Sequence, residues 1–187
     1  MMPAKQTLFD TPQSYGVVSR FLHWFMAALF AWIFVSALFH MLAKESVLGK
    51  FFWSTHFSVG FALLILLVAR GVWFLANADK RPQQEAGTAG RLAKIGHFVM
   101  YVLMLVIPAA ALLRSYGSGR GLSVFGVELF AQTGEQIPLL MAPANALHGL
   151  LGWIFLALIL GHVAMVFVHK YLWRQDTLSR ILGKAAA

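Results

Sequence analysis

An all-α fold, a transmembrane four-helix bundle with both termini on the cytoplasmic side, is what the sequence predicts. Three observations carry the prediction. The 187 residues are 59% hydrophobic and only 12% charged, with a mean hydropathy of +0.71. A soluble domain carries about twice that charge. Four apolar runs (20–43, 51–76, 91–113 and 145–173) each approach or exceed the ~20 residues that cross a ~30 Å hydrocarbon core. Lys and Arg are divided unevenly by those runs.

The uneven division sets the expected topology. One side receives Lys5, Arg20, Arg70, Lys80, Arg81, Arg91, Lys94, Lys170, Arg174, Arg180 and Lys184. The other receives only Lys44, Lys50, Arg114 and Arg120. The positive-inside rule assigns the larger set to the cytoplasm. Both termini and the middle loop are then inside (N-in/C-in). The spans leave little room for a separate soluble domain, so residues 1–187 read as one membrane domain in contact with lipid. Basic cytoplasmic loops account for the net charge of +8, and no nucleic-acid partner is needed. The chain has no cysteine. Disulfides, iron–sulfur clusters, thiolate metal sites and covalently attached haem all require it. Any haem is therefore non-covalent and held by His or Met.

The polar leader 1–19, with Pro3 and Pro12, reads as a loose cytoplasmic segment. Val35-Ser36-Ala37 loosely resembles a signal cleavage site, but the run before it is long for a signal peptide and no soluble domain follows. The first span is expected to stay. His23 lies one helical turn inside Arg20, in the inner half of the membrane. An ionisable group at that depth is a functional hypothesis by default; the bland reading is an interfacial His beside Trp24. His40 does not share its face and is expected at the outer surface. In the second span His56 sits just inside the outer end, with Gly60 one turn further on the same face. Arg70, near the inner end, either snorkels to the interface or pairs with a cofactor carboxylate such as a haem propionate.

The loop 77–90 reads as a hairpin connection, with Pro82, Gly87 and Gly90. In the third span His97 is near the inner end and Pro108 interrupts the outer part. His97 is a candidate third inner ligand, carboxylate partner or quinone contact, or else a satisfied core His. The segment 114–143 is rich in glycine and is expected to cap the outer end. Arg114, Tyr116 and Arg120 would then lie near an outer cofactor, with Arg114 a candidate propionate partner.

The fourth span carries His148 near its outer end, His162 fourteen positions on, and His169 near its inner end. At about 1.5 Å and about 100° per residue, His148 and His162 lie about 21 Å apart and within about 40° of one face. Gly152 follows His148 as Gly60 follows His56. A glycine one turn from an imidazole leaves room for a flat macrocycle; ordinary small-residue packing is the alternative. His169 is on roughly the same face but about 31 Å from His148, at the wet interface, which favours His162 as the inner ligand. Depth then supplies pairs: His23 with His162 in the inner half, and His56 with His148 at the outer end. Two bis-His iron sites are the simplest assignment using four of the seven His.

These residues carry a resemblance. Tyr15-Gly16-Val17-Val18 followed by His23-Trp24, His56 with Arg70, and Gly96-His97 leading to Tyr101 are three of its segments. The others are Ser123-Val124-Phe125-Gly126, and His148 to His162 continuing through His169-Lys170-Tyr171 to Asp176-Thr177-Leu178. The chain resembles the bacterial cytochrome b561 family, four-helix membrane cytochromes with two b haems. It departs from simple members in its longer outer loop. The resemblance implies haem ligation by His23, His162, His56 and His148 and a place in the bacterial cytoplasmic (inner) membrane. It also implies one-electron transfer between the quinone pool and an outer-face donor or acceptor. Some members oxidise superoxide at a positive outer face and reduce ubiquinone. Lys44, Lys50, Arg114 and Arg120 are the cations available there, and His169, Trp173 and His97 are candidates for a quinone site.

Two other classes fit the bare sequence. A haem-free, His-lined proton carrier explains intramembrane His, but none of the seven acids lies deep in a span. A haem-bearing membrane anchor for a separate redox partner explains everything except what the partner is.

Overall fold

The computed structural model describes residues 7–82, 87–175 and 177–183. Lys5, Lys184 and Asp176, used in the charge division and the resemblance, lie outside them. Four long helices dominate: α1 (Val17–Ala43), α2 (Val47–Ala76), α3 (Thr88–Gly117) and α4 (Pro138–Phe167). All four are long and apolar enough to cross a membrane, α4 together with the turn that follows it. Between α3 and α4 stands a two-stranded antiparallel hairpin, β1 (Leu122–Val124) and β2 (Val127–Phe130). A π-helical turn, Val168–Leu172, ends α4, and a short α5 (Thr177–Leu182) closes the described chain.

Each helix runs beyond the apolar stretch that announced it. An apolar run marks hydrocarbon depth, whereas a helix stops where its backbone hydrogen bonds are replaced. At α2 the replacement is Ser46, whose Oγ accepts from the Gly49 amide at 2.9 Å. At α3 the chain enters through Gly87, at a φ of 91° that favours glycine. At α4 Pro138 occupies the first turn, where its missing N–H costs nothing.

The core is thin. Met26, Leu63 and Leu67 pack with Ile33, Tyr101 and Met104, joining α1, α2 and α3. Met100, Leu103 and Phe155 pack with Phe30, Phe34 and Leu151, joining α1, α3 and α4. Only 6–11% of the residues in the span windows are buried within the chain. Val47, Leu75, Phe98 and Leu160 are among many large apolar side chains left exposed. So much outward apolar surface requires lipid as its solvent.

The two ends of the bundle differ, and they are called here the terminal end and the hairpin end. At the terminal end the leader folds back. Asp10 is buried, ion-paired with Arg81 at 3.3 Å, and accepts from the Gly16 amide. Phe9 stacks on Trp73, whose Nε1–H donates to Ser19 at 2.9 Å. Arg20 donates to the Leu182 carbonyl and Trp24 to that of Ile181. From residue 7 onward the leader is thus a packed strap rather than a loose segment. At the hairpin end, Phe125 and Gly126 both have positive φ (50° and 81°), the pairing a tight two-residue hairpin turn demands. The hairpin does not close over the bundle end as a cap. Its tip leans along α2, where Val124, Phe125, Val127 and Leu129 face Phe61 and Ile65 across an apolar cavity of about 460 Å³.

Candidate functional site

The bundle collects imidazoles at two levels. At the hairpin end, His56 from α2 and His148 from α4 stand with ring centroids 6.3 Å apart and planes at 66°. A third helix holds each of them. Ser36 of α1 lies 2.6 Å from His56 Nδ1. The Ile107 carbonyl of α3 lies 3.3 Å from His148 Nδ1. A carbonyl only accepts, so His148 carries its proton on Nδ1 and leaves the Nε2 lone pair free.

This level fits a haem iron. An imidazole–metal bond of about 2 Å, with the ring centroid about 1 Å further out, sets two rings sharing one metal about 6 Å apart. The glycines leave space beside the pair. A Cβ at Gly152 would meet nothing within 4 Å, and one at Gly60 only the Ile33 Cδ1 at 3.9 Å. Two nitrogen ligands and an open flank suit a macrocycle that supplies the remaining four nitrogens itself.

At the terminal end the arrangement differs. His23 Nδ1 receives a hydrogen bond from Arg70 Nη2 at 3.3 Å, and Arg70 Nε donates to the Tyr101 hydroxyl at 3.0 Å. Arg70 therefore turns into the bundle instead of snorkelling. His162 of α4 meets the edge of His97, centroids 5.1 Å apart and planes at 81°. His97 in turn donates from Nδ1 to the Ala93 carbonyl at 2.6 Å. His23 lies within electrostatic range of Arg70, His162 and His97. The expected inner pair is thus in one cluster, with His97 rather than His23 in ring contact with His162. Spacing alone left His97 open between several roles; its side chain belongs to this cluster.

The remaining predicted residues are spread around these two levels. His169 donates from Nδ1 to Gln175 Oε1 at 2.7 Å and meets Trp173 edge-on, centroids 4.7 Å apart. His169 lies within the π turn and Trp173 directly follows it, a local irregularity that recurs at functional sites. Arg114 is exposed in the last turn of α3, within electrostatic range of His148. Tyr116 packs on Phe130 of the hairpin, and Arg120 is exposed. His40 is not simply on the surface: it stacks on Trp53 with centroids 3.6 Å apart, and Trp53 meets His56 at 4.8 Å. Ser36, Trp53 and Tyr101 are the site residues that sequence reasoning missed. The contacts of Ser36 and Tyr101 cross between helices and no spacing within one helix announces them, whereas Trp53 stands three positions before His56 on α2, a spacing that could have found it.

Four apolar helices that gather half-buried imidazoles at two depths define a polytopic membrane protein of the cytochrome b kind. The chain belongs to the prokaryotic cytochrome b561 family, whose model matches residues 14–184. It is 31% identical over 185 residues to cytochrome b561 homolog 2 of Escherichia coli (strain K12), covering 95% of this chain and 96% of that protein. It is also 30% identical over 132 residues to a Yersinia pestis protein named probable superoxide oxidase CybB, covering 69% of this chain and 73% of that one. Membership implies haem b as the cofactor.

Proposed function

We propose that this protein carries single electrons across the cytoplasmic membrane between two b haems, one at each end of the bundle. The observation that carries the reading is the His56–His148 pair, 6.3 Å apart and each Nδ1 held from a neighbouring helix. His56 and His148 would ligate the hairpin-end haem, and His23 and His162 the terminal-end haem. The haems supply reversible one-electron chemistry. Held by two imidazoles each, such haems would serve electron transfer rather than oxygen binding.

The chain's own groups supply the rest. Charge asymmetry supports placing the terminal end in the cytoplasm, with residues 1–187 acting as one domain. Arg70, already inside the bundle on His23 and Tyr101, is the cation for a propionate at that level. Arg114 is its counterpart near His148. A quinone would bind at the terminal end. There His169, with its proton fixed on Nδ1 by Gln175, offers an Nε2 lone pair to a quinol hydroxyl, and Trp173 supplies an apolar wall. His97, against His162, lies on the same side of the bundle's depth.

The hairpin-end reactant is a one-electron donor or acceptor. Superoxide is the form suggested by the name of the Yersinia relative, with ubiquinone the acceptor. The same wiring would also serve a haem-bearing anchor for a separate redox protein docked at that end. A reduced-minus-oxidised visible spectrum with haem quantification tests the reading: two b haems per chain are expected, and a colourless protein would end it. Reduction of the haems by superoxide, followed by reoxidation with a ubiquinone analogue, then separates the superoxide enzyme from the anchor.

A further inference from the structure

Ser36 is a buried polar group that spacing did not announce, and what its contact with His56 does to the haem has still to be assigned. Its side chain is fully buried, at 0% exposure, in the third of α1 nearest the hairpin end. Its hydroxyl has two neighbours: the Ile33 carbonyl at 2.7 Å and His56 Nδ1 at 2.6 Å. A hydroxyl has one proton and two lone pairs. The Ile33 carbonyl can only accept, so the hydroxyl proton goes to it. Were the proton given to His56 instead, two oxygen lone pairs would face each other at 2.7 Å in a buried site, and the hydroxyl–carbonyl contact would be repulsive. The remaining arrangement has His56 Nδ1–H donating to Ser36 Oγ. The proton is then held on Nδ1 and Nε2 keeps its lone pair.

We propose that Ser36 is a positioning residue for the hairpin-end haem, fixing His56 in its ligating tautomer and tuning the iron through it. The proposal rests on the haem reading of the His56–His148 pair. The physical basis is general. A ligating imidazole that donates its other N–H to an oxygen becomes a stronger base, and the ring is held in one orientation. A stronger base stabilises the ferric state and lowers the reduction potential. Ser36 acts from α1, which provides no ligand at this level, so the helix that presents His23 at one end tunes His56 at the other. The route to the hydroxyl is local: its bond to the i−3 carbonyl is the ordinary habit of serine in an apolar helix. That bond turns the oxygen's lone pairs toward α2.

The test compares Ser36→Ala and Ser36→Thr with the parent protein, all purified with haem bound. Ser36→Ala removes the acceptor; Ser36→Thr keeps a hydroxyl that makes the same carbonyl bond. Redox titration followed by visible and low-temperature electron paramagnetic resonance spectra reads each haem separately. Ser36→Ala is expected to raise the potential of the hairpin-end haem and shift its ferric signal, leaving the terminal-end haem unchanged. Ser36→Thr is expected to restore both towards the parent. An unchanged hairpin-end haem in Ser36→Ala would overturn the proposal. If Ser36→Ala loses that haem, its return in Ser36→Thr supports the hydroxyl, and its loss in both variants reduces position 36 to packing. Absence of haem from the parent protein would instead overturn the haem reading itself.

Discussion

The two ends of the bundle solve one problem with different chemistry. At the hairpin end α2 and α4 present His56 and His148, while α1 and α3 hold them through Ser36 and Ile107. At the terminal end α1 and α4 present His23 and His162, while α2 and α3 hold them through Arg70 and His97. Every helix therefore takes part at both levels, and α4 presents an imidazole at each. The partners are neutral oxygen acceptors at one end and nitrogen groups at the other. An oxygen acceptor fixes the proton on Nδ1 and leaves Nε2 ready. Arginine can only donate, so His23 Nδ1 accepts and its proton belongs on Nε2. On the proposed haem reading, His56 and His148 would offer Nε2 to a metal as they stand, whereas His23 would do so only once its proton had moved from Nε2.

The largest expected effect tests whether the ends are separate sites. Replacing His148 with Ala should lower haem content from two per chain to one and remove only the hairpin-end spectral component. His162→Ala should remove only the terminal-end component. If either variant loses both haems, or neither, the two-level assignment is broken. Next comes the cation. Arg70→Gln removes a positive charge beside the terminal-end site, so that haem should become harder to reduce, while the potential at the hairpin end stays where it was. Equal shifts at both ends would show that Arg70 acts on the whole bundle. A smaller effect is expected from His169→Ala, which should raise the KM for a quinone analogue by about tenfold, the equivalent of one lost hydrogen bond to a ring partner, with haem content intact. A change in haem content with an unaltered KM would move His169 from the quinone to the haem. The smallest is Trp73→Phe, which deletes the bond to Ser19 beneath the terminal-end cluster. It should cost about 1 kcal/mol, read as a slight fall in the thermal midpoint in detergent with both haem spectra unchanged.

Much of this was legible in the sequence for identifiable reasons. The spans announce themselves because hydrocarbon imposes a length and a composition on every residue in it. The His56–His148 pair was legible because α2 and α4 run the same way and each carries its imidazole near its start, so depth alone compares them. Depth was not enough for His97. It shares a level with His23 and His162, and only azimuth, set by packing between helices, decides which ring it meets. The hairpin was hidden for another reason. Its turn is Phe125-Gly126, and a phenylalanine at positive φ is too rare to be read as the Asn-Gly or Asp-Gly signal of a hairpin. Asp10 was hidden by its surroundings: a leader with two prolines looks loose until the Arg81 it pairs with arrives from the far side of α2.

The links between Arg20, Trp24 and the carbonyls of Leu182 and Ile181 bear on how the chain is made. A polypeptide emerges N-terminus first, and these contacts join its first span to nearly its last described residues. The hairpin-end pair is complete once the opening turns of α4 have been synthesised. The terminal end can close only after Ile181 and Leu182 have been synthesised. The order of synthesis thus gives the two levels different ages, and the later one stays open longer.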